Sequence, residues 1–240
     1  MKKIYALLMI LPFFACETAQ EPLTPEVQQN KQPFYNKIID GSAPAYVTNP
    51  YDNAGVLHNQ LLDDYALAGT LPTALDSIIA QVEALAISNT AITATKTPAY
   101  IPITLARANY LLANSSSCLT QVLDNTVLNP TLKDNFSDFL NGLIVVCGSE
   151  PSYATVGNYI TSFEATIIGD STITTQDKKL ILTTTSIIRH SAFYRRKPKR
   201  NNDIDWEFMV THIVATVEGA AAGTAEAITT SVAISIAENQ

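Results

Sequence analysis

From Asn49 onward, apolar residues recur at helical spacing rather than in strand-like alternation. Leu57, Leu61, Tyr65 and Ala68 form a first stripe, and Gly69 closes it. Thr70 and Pro72 introduce a second, with Leu71, Leu75, Ile78, Val82 and Leu85 on one face. Ile101, Leu105, Ala108 and Leu112 make a third, and Leu119, Val122, Leu123 and Val127 a short fourth. Asn129 and Pro130 read as an N-cap and first-turn proline ahead of Leu132, Phe136, Phe139, Leu143 and Val146, with Gly148 as the stop. Pro151 starts a run through Val156, Ile160, Phe163 and Ile167 that ends at Gly169. Thr174 and Asp177 match a capping box before Leu180, Ile187 and Tyr194. The pattern predicts an all-α chain, a single helical bundle of about seven or eight helices over residues 46–240. Two stretches, Ala91 to Thr97 and Ile181 to Ile188, are rich in β-branched residues that favour strands. The first of these is read as a loop.

The segment 204–237 differs in kind. Ala215, Gly219, Gly223, Ala227, Ser231 and Ser235 recur every fourth residue. On one continuous helix they make a ridge almost without side chains, with Gly219 and Gly223 as its packing residues, and another backbone can approach such a ridge closely. Three uses remain open: a tight central helix of the bundle, a face for homo-oligomer formation, or insertion into a membrane. His212, Glu218 and Glu226 interrupt the apolar run, which a clean span of about 20 residues does not tolerate well.

The N-terminus gives the compartment. Lys2 and Lys3 precede the apolar run Ile4 to Phe14, and Ala15 then stands before Cys16. A basic start, a short apolar core and a small residue at the exit form a signal peptide over residues 1–15. The segment resembles a bacterial lipoprotein signal, which implies that Cys16 becomes the acylated first residue of the mature chain. Ordinary secretory cleavage is the alternative. Residues 16–45 are rich in Gln, Glu and Pro and read as a disordered, flexible tether carrying lipidated Cys16. A coil of that length reaches roughly 30 Å, enough to hold a domain just off a bilayer. The expected location is the cell envelope, membrane-anchored, with the periplasmic or outer face unresolved.

Composition narrows the partners. The formal net charge is −7, and losing Lys2 and Lys3 with the signal makes the mature chain more acidic. That argues against nucleic acid. Charged residues are 15% of the chain, below the roughly 25% of an average soluble domain, and Ala, Ile, Leu and Thr fill the difference. Cys118 and Cys147 are the candidate pair for a disulfide in an oxidising compartment, against the alternative of two buried free thiols.

Candidate chemistry is sparse. Asp52, His58, Asp63 and Asp64 lie close in sequence, but their spacing is not that of a metal site, and a structural histidine is the favoured reading of His58. No His-Glu-x-x-His, Gly-x-Ser-x-Gly, phosphate-cradling loop or Cys-x-x-Cys is present, so neither a catalytic residue, a metal ligand set nor a cofactor is assigned. Arg189, Arg195, Arg196, Lys197, Lys199 and Arg200 concentrate six of the fifteen basic residues, with Phe193 and Tyr194 between them. This cluster is the candidate for contact with anions or anionic lipid headgroups, against a solvated loop paired with Asp203, Asp205 and Glu207.

Two stretches carry a resemblance: Asn49 to Asn59, and Ser162 to Asp170 running into Asp177 to Leu182 and Ser186 to Tyr194. With the lipoprotein-type start and the small-residue tail, they make the chain similar to a group of predicted lipoproteins of Bacteroidetes. The resemblance carries no activity and no site residues. Asp76-Ser77-Ile78 and Asp170-Ser171-Thr172 also resemble the short O-glycosylation sequon of that phylum. The sequence therefore leads to a non-enzymatic envelope lipoprotein that binds a protein or glycan partner or takes part in assembly. Its alternatives are a membrane-active or self-oligomerising protein built on the Gly/Ala-rich helix, and a hydrolase of unrecognised type acting on an envelope polymer.

Overall fold

The computed structural model describes residues 44–69, 71–149, 152–194 and 204–240, the side chains of 194 and 204–208 excepted. Nine helices and no strand occur among the described residues: α1 (Asn53–Leu67), α2 (Leu75–Ser88), α3 (Thr90–Thr93), α4 (Leu105–Asp124), α5 (Pro130–Gly148), α6 (Tyr153–Gly169), α7 (Thr175–Tyr194), α8 (Ile204–Ala222) and α9 (Thr224–Glu238). Residues 1–43, which hold Cys16 and most of the segment expected to be signal peptide and tether, lie outside the described residues.

Local chemistry sets the boundaries. The Asn129 side chain accepts the Leu132 N–H at 3.0 Å, with Pro130 in the first turn of α5. Ser152 caps α6 by accepting the Thr155 N–H. Thr174 accepts the Asp177 N–H at 3.1 Å and donates its hydroxyl to the Asp177 carboxylate at 2.9 Å, a reciprocal cap of α7. Each such cap is worth about 1 kcal/mol.

Three expectations change. The stripes at 101–112 and 119–127 belong to one helix, α4, bent at Asn114 (φ −129°, ψ 15°), whose side chain donates to the Tyr110 carbonyl. The stretch read as a loop at 91–97 starts inside α3, because Asn89 accepts the N–H groups of Ala91 and Ile92 and Ile92 is fully buried. The continuous helix expected over 204–237 is two helices, which meet at Gly223. They run antiparallel, placing Gly219 against Ala227 and His212 against Ser235.

Helices α7, α8 and α9 form the centre. Residues 180–191 of α7, 210–217 of α8 and 225–236 of α9 are buried without a break. Three interior hydroxyls bond back to their own helices: Thr184 donates to Leu180 O, Thr216 to His212 O and Ser231 to Ala227 O. This explains why Ile181 to Ile188 is helical despite its β-branched composition: full burial against neighbours on all sides overrides propensity. Around this centre pack α1, α2, α4, α5 and α6, whose apolar stripes supply Leu61, Tyr65, Ile78, Leu111, Phe136, Leu143 and Ile160 to the core.

Backbone approach is closest at two glycines. A Cβ at Gly219 of α8 would lie 2.4 Å from Glu226 O and 2.6 Å from Ala227 Cα of α9. A Cβ at Gly55 of α1 would lie 2.6 Å from Ser186 O of α7. The small-residue ridge is thus used inside the fold, where Ala215, Ala227, Ser231 and Ser235 are all buried. Gly223 plays a different part from Gly219. It separates α8 from α9 in an extended conformation, and only the flexible end of the Glu226 side chain crowds it. Among the described residues, no helix is long and apolar enough to cross a membrane.

Candidate functional site

The chain enters α1 through a short strap, residues 46–52. Asn49 Oδ1 accepts the Tyr51 N–H at 2.8 Å and Asp52 Oδ2 accepts the Tyr46 N–H at 3.1 Å, so a local turn folds both side chains toward the protein. Asp52 occupies the N-cap position of α1 yet makes no cap hydrogen bond. Its carboxylate is spent elsewhere.

Asp52 Oδ1 pairs with Arg189 Nη2 and lies 3.2 Å from His190 Nε2, both on α7. Arg189, 1% exposed, also pairs through Nε with Glu164 Oε2 of α6 at 3.3 Å. Glu164 Oε1 accepts from Asn49 Nδ2 at 3.0 Å and from the Thr185 hydroxyl at 2.8 Å. Asn49 makes a second bond to Leu182 O at 3.0 Å. The Tyr46 ring lies 5.8 Å from the Arg189 guanidinium. One arginine and two carboxylates, drawn from the strap, α6 and α7, thus form a connected network in the interior.

The network shifts its acids in opposite directions. Burial works against ionisation of Asp52, but hydrogen bonds from His190 and Arg189 outweigh it and hold the carboxyl at about 2. Glu164 lies deeper, and its desolvation prevails over Arg189, Thr185 and Asn49, leaving its pKa above the ordinary carboxylate value.

Ser186, His190 and Asp52 meet here, yet the order is wrong for nucleophilic catalysis. A hydrolytic triad needs the imidazole between hydroxyl and carboxylate, so that it can take the hydroxyl proton. Here Asp52 stands between the other two. The Ser186 hydroxyl donates to Asp52 O at 2.8 Å and accepts the Gly55 N–H at 3.1 Å, which fixes it as a strut between α1 and α7.

A second polar centre adjoins the first. His58 of α1 and His212 of α8 are both buried, with ring centroids 5.2 Å apart in an edge-to-face arrangement. His58 Nδ1 lies 3.0 Å from Asn59 Oδ1, and His212 Nδ1 lies 2.9 Å from Ser235 Oγ of α9. Asn59 Nδ2 donates to His190 O at 3.0 Å and so links the two centres. All three histidines of the chain are inside the protein.

The sequence candidates fall as follows. His58 does not join Asp52, Asp63 or Asp64; its neighbours are Asn59 and His212. Among the described residues, no group of three His, Cys, Asp or Glu side chains is placed to hold a metal ion. Arg189 is not part of a basic surface cluster, because it is buried and paired with Asp52 and Glu164 in the interior; Arg195, Arg196, Lys197, Lys199 and Arg200 lie outside the described residues. Cys118 and Cys147 are not bridged but are free thiols: Cys118 points into the core from α4, and Cys147 packs half-buried near the end of α5. Burial pushes the Cys147 thiol up to about 12. Ser77 is exposed on α2, and Ser171 is exposed in the turn between α6 and α7.

Sequence reasoning missed Asn49, Glu164 and the true place of Arg189. A signal was available. Glu164 is four residues after Ile160 and three before Ile167, hence on the apolar face of α6, and Arg189 directly follows Ile187 and Ile188. Opposite charges on the apolar faces of consecutive helices predict a buried pair.

One surface concavity is notable. A groove of about 680 Å³ runs along the seam of α5 and α6, with Phe139, Tyr159 and Phe163 in its lining and Asn135, Asp138 and Asn158 beside them. The rings are stacked, with centroids of Phe139 and Phe163 at 3.9 Å and of Phe139 and Tyr159 at 5.4 Å. Comparison with known proteins finds no family model that matches the chain, and no similar curated protein or solved structure.

Proposed function

We propose that this chain is a lipid-anchored, non-enzymatic binding domain of the bacterial cell envelope, similar to predicted lipoproteins of Bacteroidetes. The observation that carries the reading is Cys16, placed directly after a basic, apolar and small-residue leader. In this reading the fatty chains on Cys16 hold the protein to a bilayer, and residues 17–45 set its distance from the surface. The interior offers supporting evidence. The histidines and the Arg189 network tie helices together, and His58 and Arg189 are closed to any substrate. The small-residue ridge is buried between α8 and α9, which favours a self-contained binding domain over assembly through that ridge.

Metabolic labelling with an alkyne analogue of palmitate in the native host tests the proposal. The expected result is label on the wild-type chain and none on the Cys16→Ser variant, with the variant moving to the aqueous fraction. An unlabelled wild-type chain bearing a free Cys16 thiol overturns it.

A further inference from the structure

We propose that the strap is a proton-operated latch: in mildly acidic solution Glu164 takes up a proton on Oε2, and the strap lifts from α6 and α7 only as that proton is released. The latch belongs to the folded domain and is independent of how Cys16 is processed. Three features of the interior carry it.

The first is the charge count. Asp52 and Glu164 share one guanidinium: Arg189 Nη2 pairs with Asp52 Oδ1 and lies 3.3 Å from Glu164 Oε1. A guanidinium supplies one positive charge and no more. With both acids ionised, the pair of carboxylates exceeds its counter-charge by one, inside a protein where uncompensated charge is costly. The other groups facing the network are His190, 3.2 Å from Asp52 Oδ1, and the Tyr46 ring, 5.8 Å from the guanidinium. Among the described residues, the polar partners of Glu164 are Asn49, Thr185 and Arg189. One proton on Glu164 balances the two acids against the arginine.

The second is the place of that proton. The Glu164 side chain is 0% exposed, against 15% for Asp52. Its two oxygens are also treated differently. Oε1 accepts from Asn49 Nδ2 at 3.0 Å, from the Thr185 hydroxyl at 2.8 Å and from Arg189 Nη2 at 3.3 Å. Oε2 accepts no hydrogen bond; Arg189 Nε stands 3.3 Å away, outside hydrogen-bonding geometry. An ionised carboxylate asks for donors at both oxygens. Donors gathered on one oxygen are the pattern of a neutral acid, with Oε1 as its carbonyl and Oε2 as its hydroxyl. Burial acts in the same direction, holding the Glu164 carboxyl above the ordinary carboxylate range.

The third is the coupling to the strap. Asn49 bonds Glu164 Oε1 and Leu182 O, and Asp52 pairs with Arg189. Lifting the strap removes these contacts and lets water reach Glu164, whose carboxyl then returns toward its ordinary range. A group whose pKa is higher in the shut state favours that state at low pH, and the advantage is lost as pH rises through the shut-state value. The strap is therefore held hardest in mild acid and opens more readily toward neutral pH. Asp52, held at about 2, stays ionised throughout and keeps its grip on Arg189.

The test uses the full mature chain in detergent micelles, with 13C-labelled glutamate side chains. The Glu164 Cδ signal, assigned by its loss in Glu164→Gln, is expected to titrate clearly above the ordinary glutamate value of about 4.3. NMR-detected hydrogen exchange of the Tyr46 and Gly55 N–H groups, corrected for intrinsic rates, reads strap opening, because Asp52 and Ser186 hold these groups in the shut state. In the wild type the opening constant should rise between about pH 5 and 8, by at most about tenfold per unit, since one proton is released. In Glu164→Gln, which cannot titrate, it should be level. If that variant does not fold, the wild-type titration decides alone, with Cδ assigned through its own side-chain and backbone signals. A Glu164 signal that titrates in the ordinary range overturns the latch. So does an opening constant that is level or falls with pH in the wild type, or a rise that Glu164→Gln leaves in place. Acylation of Cys16 is read separately, so a failed latch and a failed anchor give different results.

Discussion

Arg189 of α7 and Glu164 of α6 stand side by side in the protein interior, guanidinium Nε 3.3 Å from carboxylate Oε2, with 1% and 0% of their side chains exposed. Neither charge has water to turn to. Removing Arg189 leaves Glu164 desolvated and without a counter-charge, which costs about 3–5 kcal/mol, whereas removing Glu164 leaves Arg189 its Asp52 partner. Arg189→Met is therefore expected to lower the unfolding free energy by that order in urea titrations, and Glu164→Leu by less. The double replacement Arg189→Met/Glu164→Leu should cost clearly less than the sum of the singles, because no charge is then stranded beyond Asp52 at the edge of the network.

Acid should attack the same network through Asp52. Its pKa is lowered from 3.8 to about 2 in the folded protein, so the ionised form stabilises the fold. The contribution is complete above about pH 4 and is lost as pH falls through about 2; by the linkage relation it amounts to no more than about 2 kcal/mol. Asp52→Asn should weaken the wild-type dependence of Tm on pH between about 4 and 2. A variant whose acid profile overlays that of the wild type would contradict the geometry.

Gly219 and Gly223 should respond very differently to alanine. At Gly219 the obstruction is α9 backbone, which cannot step aside, and Gly219→Ala is expected to destabilise by about 2 kcal/mol or more. At Gly223 the obstruction is the end of the Glu226 side chain, and the backbone is extended, so Gly223→Ala should stay within about 1 kcal/mol. Thermal unfolding of both variants checks the contrast.

The thiols give a chemical readout. Denatured protein should titrate Cys118 and Cys147 as two reactive thiols without prior reduction. In the native state Cys147 should alkylate slowly at pH 8, because burial keeps its thiol protonated up to about 12. A disulfide found by peptide mapping would refute the free-thiol arrangement.

The legible parts of this chain were those written in local chemistry. Asn129, Pro130, Thr174 and Asp177 announce helix starts by side-chain type alone, and the stripes of α5 and α6 follow the helical period. The hairpin of α8 and α9 was half legible. The small-residue period marks close backbone contact, but it is the same whether the contacting backbone belongs to a second molecule or to the same chain beyond Gly223. The polar network was hidden for another reason. Asn49 and Glu164 are 115 residues apart, and Asp52 and Arg189 are 137 apart, so only the tertiary fold brings them together. The α5–α6 groove left no trace of its own, since Phe163 reads simply as part of an apolar stripe and Tyr159 lies off it.

The strap also settles how the domain bears load. Tension applied to the chain ahead of Tyr46 does not peel α1 open from its end. It is taken in shear by Asn49 and Asp52, which are keyed into two other helices, and these bonds must yield together before the helix can unwind. The start of α1 is thus riveted to α6 and α7 and not left free to fray.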